Sequence, residues 1–323
     1  MTGIKTTSGQ VIPIVAPTPY DVGDVNMFLI ADGNTLTLLD AGDDSDICWE
    51  ALLLTLRQHG LALGDLSQIW ITHSHQDHIG LVNRIVSQVQ VPVYAHKDAI
   101  PRMKRDPDFI QMRLRFFDRL YREMGCGTAG ERDIERLQRA AKKNEAYTTQ
   151  TDIIPLTEGS RIGDYKVLEV PGHAPDHIVF WNENEKTLFA GDHLIKHISS
   201  NAFVEPDFEG ARLRTLVQYV ESLTKCSKID ADTVFPGHGE LIDDHQQLIA
   251  MRLKRIGQKA DKIREMIISG ASTAYQLAQL YYPHKYRTVF SPVMSEIIGL
   301  LDFLEAQGSI QKVKKNEVWH YEA

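Results

Sequence analysis

The stretch "THSHQDHIG", residues 72–80, packs three histidines and an aspartate into six consecutive positions directly after the apolar run "QIWIT". In an extended chain side chains alternate, so His73, His75 and Asp77 leave on one side and His78 on the other until the chain bends. A helix would scatter His73 and His75 by about 200°, so this spacing suits a strand end rather than the helical H-E-x-x-H arrangement. By composition, H-x-H-x-D-H arises by chance in about one chain of this length in a thousand. Three more residues share the placement: His173 follows "VLEVPG", Asp192 follows "TLFAG" and His238 follows "TVFPG". Apolar strands that each end in a glycine-bearing turn and then a His or Asp would deliver all of these to one edge of a sheet system.

Each residue has a plainer role when taken alone. Asp77 precedes a helical pattern and would serve as an N-cap, and Pro-Gly is ordinary turn punctuation. Those readings lose ground once the residues are taken together. The echo of V-P-G-H (170–173) and F-P-G-H (235–238) fits two related halves. Imidazoles with carboxylates and no thiolates suit zinc, and also iron or manganese. His177 and His193 are expected to support the cluster structurally, and His59, His96, His197, His245 and His320 have no supporting constellation.

The rest of the chain is organised around this cluster. With 323 residues, 43% apolar and 24% charged, it is long enough for one large domain and a smaller one. Strand patterns "MFLI", "TLTLLDAG", "QIWIT" and "VPVYAH" alternate with helical ones through residue 96. Residues from about 97 to 150 read as a helical insertion of long charged runs. Strands resume with "YKVLEV", "HIVFW", "KTLFAG" and "DTVFPG". From residue 246 the order is helix, helix, helix and a strand pair, that of a winged helix-turn-helix module. The expected division is therefore a catalytic domain over residues 1–245 and a winged-helix-like domain over 246–323.

The opening segment lacks a basic and then apolar leader, and no stretch reaches the roughly 18 apolar residues of a membrane span, so a cytoplasmic protein is expected. Cys48, Cys126 and Cys226 are odd in number and widely spaced, which argues against a disulfide framework or a thiolate zinc site. The net charge of −8 is uneven: residues 97–150 hold 13 Lys/Arg against 9 Asp/Glu, and residues 246–323 hold 11 against 7. Two mildly basic segments flank an acidic body.

The ordered set H-x-H-x-D-H, later His, later Asp and final His, over residues 73–238, resembles the metallo-β-lactamase-fold hydrolase superfamily. The resemblance implies an α/β fold, the αββα sandwich. It also implies that His73, His75 and His173 bind one divalent ion, that Asp77, His78 and His238 bind a second, and that Asp192 bridges them. Asp40 in "LLDAG" matches the family's early Asp, expected to orient a ligand imidazole. The C-terminal module resembles the β-lactamase-associated winged helix of the subgroup that includes the β-lactamase-like protein 2 ribonucleases, which implies that His284, Tyr286 and Arg287 reach substrate.

The implied chemistry is hydrolysis by a metal-bridging hydroxide, with Asp77 also helping to orient the nucleophile. Aspartate at position 192 argues against a true β-lactamase, since one common class of those enzymes carries Cys there. The leading expectation is a small-molecule ester, lactone or thioester hydrolase whose substrate carries an anionic group. The competitor is a phosphodiesterase or single-strand endoribonuclease acting on RNA, for which Tyr281, Tyr282 and Tyr286 beside Lys285 and Arg287 would stack on bases. A duplex-DNA regulator fits poorly, because the helix "PVMSEIIGLLDFLEAQG" carries Glu296, Asp302 and Glu305 and no Lys or Arg.

Overall fold

The computed structural model describes residues 3–5 and 9–323. Among the described residues two sheets face each other. The first has seven strands in the order β1 (Ile4–Lys5), β2 (Gly9–Ala16), β3 (Val25–Asp32), β4 (Thr35–Leu39), β5 (Gln68–Trp70), β6 (Val93–His96) and β7 (Ile153–Leu156). The second has five, in spatial order β12 (Thr233–Pro236), β11 (Thr187–Gly191), β10 (Ile178–Asn182), β9 (Tyr165–Glu169) and β8 (Arg161–Ile162).

Both sheets bury both faces, which explains their near-continuous apolar sequences. Between them lies an aromatic-rich layer. Trp70 of the first sheet stacks on Phe180 of the second at 5.0 Å, and Phe28 meets Phe235 edge-on at 5.4 Å. Outside the first sheet, α1 (Asp46–Gln58) and α3 (Val82–Val86) cover a cluster that includes Leu38, Leu52, Ile69 and Ile85. Outside the second, α7 (Thr215–Cys226) packs over Leu168, Val179 and Leu188. The layers are therefore helix, sheet, sheet, helix, as expected. All three cysteines are buried and free. No helix among the described residues is long and apolar enough to cross a membrane.

Between β6 and β7 the chain is helical: α4 (Ile100–Met103), α5 (Pro107–Glu123) and α6 (Gly127–Asn144). Asp106 caps α5 by accepting from the Phe109 N–H at 2.9 Å, with Pro107 as its first residue. After β12 come α8 (His245–Ile268), α9 (Ala274–Tyr281), α10 (Phe290–Ala306) and the antiparallel pair β13 (Gln311–Lys315) and β14 (Val318–Glu322). Thr273 and Gln276 form a capping box at α9. Phe116, Phe117 and Leu120 of α5 share one continuous apolar cluster with α7, α8 and α10.

Two local features depart from the sequence pattern. The run "IGLVNRIVSQV" is not one helix: α2 (Gln76–Ile79) stops before α3 because the Gly80 and Leu81 N–H groups bond Gly42 O and Ala41 O, at 2.7 and 2.9 Å. Gly80 has to be glycine there, since a Cβ would lie 2.2 Å from Asp44 N. Strand β2 is interrupted in sequence by Pro13, which pairs with Phe28 on one side. Among the described residues the register with β1 spans only Val11 and Gln10, and none of them pairs with the proline on that side, where its missing donor is tolerated.

Candidate metal centre

Strand direction builds the site. β4 and β5 are parallel neighbours, so Asp40, immediately after β4, and the 73–78 segment after β5 emerge at the same edge. β11 and β12 are likewise parallel and deliver Asp192 and His238. β9 runs antiparallel to β10, and β10 to β11, so β9 points the same way and brings His173. The two sheets are tied together at this end by Asn26, whose side-chain amide donates to Pro236 O at 3.0 Å and Gly239 O at 2.8 Å.

All seven residues expected as ligands converge. Three groups have ligand atoms within 4.8 Å of one another: His73, His75 and His173; His73, His78 and Asp192; and Asp77, His78 and His238. His75 Nδ1 lies 3.0 Å from His73 Nε2 and 2.9 Å from His173 Nε2. Asp192 spans the cluster, with Oδ2 3.5 Å from His173 Nε2 and Oδ1 3.3 and 3.4 Å from the Nε2 atoms of His78 and His238. Asp77 Oδ2 is 3.4 Å from His238 Nε2.

These spacings fit ligands sharing cations. Donor atoms about 2.0–2.1 Å from one ion stand about 2.9 Å apart at right angles and about 3.4 Å apart at tetrahedral angles. His78 Nε2, His238 Nε2 and Asp192 Oδ1 are buried without a hydrogen-bond partner, as atoms reserved for an ion would be. Gly237 leaves the necessary room, since a Cβ there would fall 2.4 Å from Asp192 Oδ1.

The opposite ring nitrogens of four of these histidines are engaged. His173 Nδ1 and His238 Nδ1 each donate to a carbonyl, Asn201 O and Asp24 O, at 2.9 Å. His78 Nδ1 donates to Asp40 Oδ2 at 2.8 Å, which also accepts from Thr72 Oγ1 at 2.9 Å; Thr72 Oγ1 in turn accepts from His73 Nδ1 at 3.0 Å. A neutral imidazole donating at Nδ1 carries its lone pair on Nε2, so each of these rings is set to face the cluster as a ligand. Asp40, fully buried, orients His78 directly and His73 through Thr72.

The charge balance asks for cations as well. Asp40, Asp77 and Asp192 lie in or against the cluster, and among the described residues no Lys or Arg pairs with any of them. Burial lowers the His78 imidazole, yet Asp192, Asp40 and Asp77 outweigh it and hold it well above its ordinary value. Burial raises the Asp192 carboxyl, yet His78 and His238 hold it well below. A group of acids this enclosed is stable only with positive charge beside it.

Residues 20–238 match the Metallo-beta-lactamase superfamily. The chain belongs to that superfamily. It is 34% identical over 309 residues to Probable metallo-hydrolase YqjP of Bacillus subtilis (strain 168), covering 94% of this chain and 95% of that protein. It is 25% identical over 309 residues to the Beta-lactamase-like protein 2 homolog of Drosophila melanogaster, covering 94% and 90%. The crystal structure of metallo-beta-lactamase family protein TTHA1429 from Thermus thermophilus is similar in fold, with TM-score 0.79, 22% identity and coverage of 97% of this chain and 98% of that one. The chain is accordingly a metallo-hydrolase of the metallo-beta-lactamase superfamily, with α/β architecture, and its clustered His and Asp side chains could hold metal ions.

Other residues shape this metallo-hydrolase site from behind the ligands. Asp176, fully buried and without any sequence signal, accepts from Ser74 N at 2.7 Å and so fixes the turn between His73 and His75. His177, expected to support the cluster, stacks on His73 at 4.6 Å, and its Nε2 accepts the Asp192 N–H at 3.1 Å. Beside His75 opens a cavity of about 280 Å³ whose wall comes from the insertion, including Arg102, Arg105, Phe109, Arg113, Phe117 and Leu137. Glu205 pairs with Arg113 and, at 3.1 Å, with Arg102.

The residues expected to reach substrate from the C-terminal module do not line the cavity at His75. Tyr286 and Arg287 line a separate groove of about 740 Å³ with Arg132 and Arg136 of α6. His284 lines neither this groove nor the cavity at His75. The groove is linked to the centre through Asn201, whose side chain donates to Pro292 O at 2.9 Å while its carbonyl accepts from His173.

Proposed function

We propose that the chain is a binuclear metal-dependent hydrolase of small-molecule esters, lactones or thioesters. In this reading His73, His75 and His173 hold one ion, Asp77, His78 and His238 the other, and Asp192 lies between them. The observation that carries it is the convergence of seven ligand side chains from separate strand ends, with the buried Nε2 atoms of His78 and His238 and Oδ1 of Asp192 left free of hydrogen bonds. The donor set of imidazoles and carboxylates suits Zn2+ best, with iron or manganese next. Two divalent ions so held would lower the pKa of water toward about 7 and polarise the attacked oxygen.

The chain's own residues then position the reaction. Asp77, held down to about 2 by His78 and His238 against the upward push of burial, stays a carboxylate and accepts hydrogen bonds. The cavity beside His75 favours an acyl group over a polymer: at about 280 Å³ it lies just below the roughly 300–1,000 Å³ typical of ligand pockets. Residues 246–323, read as a winged-helix-like module, support α5 rather than entering that cavity.

A second reading, phosphodiesterase or single-strand endoribonuclease, draws on the Tyr286–Arg287 groove, where Arg132 and Arg136 add positive charge and Tyr275 meets Tyr286 edge-on at 6.0 Å. One experiment separates the readings. Metal content and turnover of wild type, His75→Ala and His238→Ala are measured on a panel of thioesters, lactones, phosphodiesters and labelled RNA. Two metal equivalents in wild type, a lowered ratio in both variants and thioester or lactone turnover support the first reading. RNA cleavage without acyl turnover supports the second. An unchanged metal ratio in both variants refutes the ligand assignment.

A further inference from the structure

We propose that Arg105 anchors a carboxylate on the substrate, so that the acyl group hydrolysed is a short one ending in a free acid. This rests on the acyl-hydrolase reading above and names its substrate class. Three guanidinium groups line the cavity beside His75: Arg102, Arg105 and Arg113. Two are neutralised from within the protein. Arg113 pairs with Glu205, and Arg102 pairs with Glu205 at 3.1 Å and lies 3.8 Å from Asp176.

Arg105 is different. Among the described residues no carboxylate pairs with it; its one side-chain bond runs from a terminal nitrogen to Gln76 Oε1 at 2.8 Å, and its Nε–H is buried without a partner. Burial and the adjacent Arg113 both work against its charge. A guanidinium does not escape that penalty by losing its proton, so an enclosed Arg without a counter-ion is a site awaiting one.

The backbone is built to put it there. Arg105 adopts φ +50°, in the left-handed region that side chains beyond glycine rarely occupy, at the corner between α4 and α5. The corner is held by Arg105 N donating to Arg102 O at 3.2 Å and Asp106 N donating to Pro101 O at 2.9 Å. Strained non-glycine residues cluster at ligand clamps and active sites, and this one sends its side chain into a cavity. Its partner Gln76 sits between His75 and Asp77, so the cation lies against the ligand-bearing turn. The apolar part of the wall, which includes Phe109, Ile110, Phe117 and Leu137, suits a short carbon chain, with Ser74, Asn144 and Glu205 as its other polar members. One uncompensated positive charge and a planar fork match one carboxylate.

The test uses two matched pairs of probes on the metal-loaded full chain. The first pair is the S-phenyl thioester of hexanoic acid and the mono-S-phenyl thioester of adipic acid, compared by kcat/KM. The second is their uncleaved anilide counterparts, compared by calorimetric binding. Wild type is expected to favour the acidic member of each pair by about 10-fold or more, through KM. Arg105→Gln should bring both ratios to about one, and Arg105→Lys should retain part of the preference. Hydrolysis of both thioesters with no preference in wild type, or a binding preference that survives in Arg105→Gln, overturns the anchor and leaves the hydrolase reading standing. Preferential binding of the acidic anilide that Arg105→Gln abolishes, without turnover of either thioester, upholds the anchor and refutes the reaction class. Should Arg105→Gln fail to fold, equal binding of the two anilides by wild type still overturns the proposal.

Discussion

Replacing Asp40 by Asn tests the link between hydrogen bonding and metal affinity with little change in shape. Asp40 holds φ +57°, a conformation that Asn tolerates as well as Asp, so the backbone loses nothing. Its carboxylate accepts three donors: Thr72 N at 2.8 Å, Thr72 Oγ1 at 2.9 Å and His78 Nδ1 at 2.8 Å. An Asn offers one acceptor oxygen and sets its NH2 against two groups that donate on the other side, the Thr72 hydroxyl, which can turn to accept, and His78 Nδ1. The Thr72 backbone N–H cannot reverse, so the oxygen should stay there and the NH2 should face His78. The imidazole can then accept only by moving its proton to Nε2, which removes the lone pair aimed at the cluster. On the proposed binuclear reading, the ion assigned to His78 should therefore bind about 10–100-fold more weakly, or about 1.4–2.8 kcal/mol. His73 keeps Thr72 Oγ1 as acceptor, so the ion at His73, His75 and His173 should change by only a few-fold. Chelator competition followed by metal analysis should show one equivalent leaving well before the other. Wild-type retention of both equivalents, or their joint loss from a folded protein, would refute the reasoning.

Three further outcomes follow from the same geometry. Gly237→Ala should lower metal content and turnover together while the fold persists by circular dichroism, because the added Cβ would meet Asp192 Oδ1 at 2.4 Å and His78 Cε1 at 2.8 Å; full metal loading would count against it. Burial raises the Glu205 carboxyl, but Arg113 and Arg102 bring it down to about 2 from 4.5, so its stabilisation is present above about pH 4.5 and is lost as pH falls toward 2. The stability gap between wild type and Glu205→Gln in urea titrations, on the order of 3 kcal/mol at neutral pH, should therefore close across that window; a gap unchanged between neutral pH and the acid limit would contradict it. Metal-free protein at pH 7 should release at least one proton on binding zinc, because burial lowers His238 but Asp192 and Asp77 raise it to about 9, and ligation requires the neutral ring. Calorimetry in two buffers of different ionisation enthalpy measures this, and a release of zero would sink it.

The candidate centre is legible in the sequence and its surroundings are not, for a physical reason. Each candidate ligand follows an apolar strand and a tight turn within a few residues, so placement and chemistry are written together, as in "TLFAG" before Asp192 and "TVFPG" before His238. Even Asp40, at the end of "TLTLL", can be read this way. Asp176 cannot, because its work is to accept one N–H from Ser74, far away in sequence. Arg105 is hidden too: its left-handed turn lacks the Gly or Asn that would announce it, and its proposed role rests on its having no paired carboxylate among the described residues. The expectation for Tyr286 and Arg287 comes from the resemblance of the C-terminal module, which concerns one segment, whereas their groove is completed by Arg132 and Arg136 from another. Pro13 masks strand β2, and α7 lies between stronger signals on either side.

Ligands and cavity wall stand on different supports, and this decides how substrate choice is encoded. The ligands ride on strand ends that both sheets hold in place, while the cavity wall rides on α5, which leans outward on the C-terminal ribbon: Lys314 pairs with Glu123 at 3.1 Å, and Trp319 Nε1 donates to it at 3.3 Å. Repacking of α5 against β14 would therefore move Phe109, Arg113 and Phe117 relative to His75 without displacing any ligand. On this architecture the two-stranded ribbon helps to set where α5 stands, so truncating Trp319 should shift substrate preference, read as a changed kcat/KM ratio across acyl chain lengths, more than metal content; an unchanged ratio would contradict this.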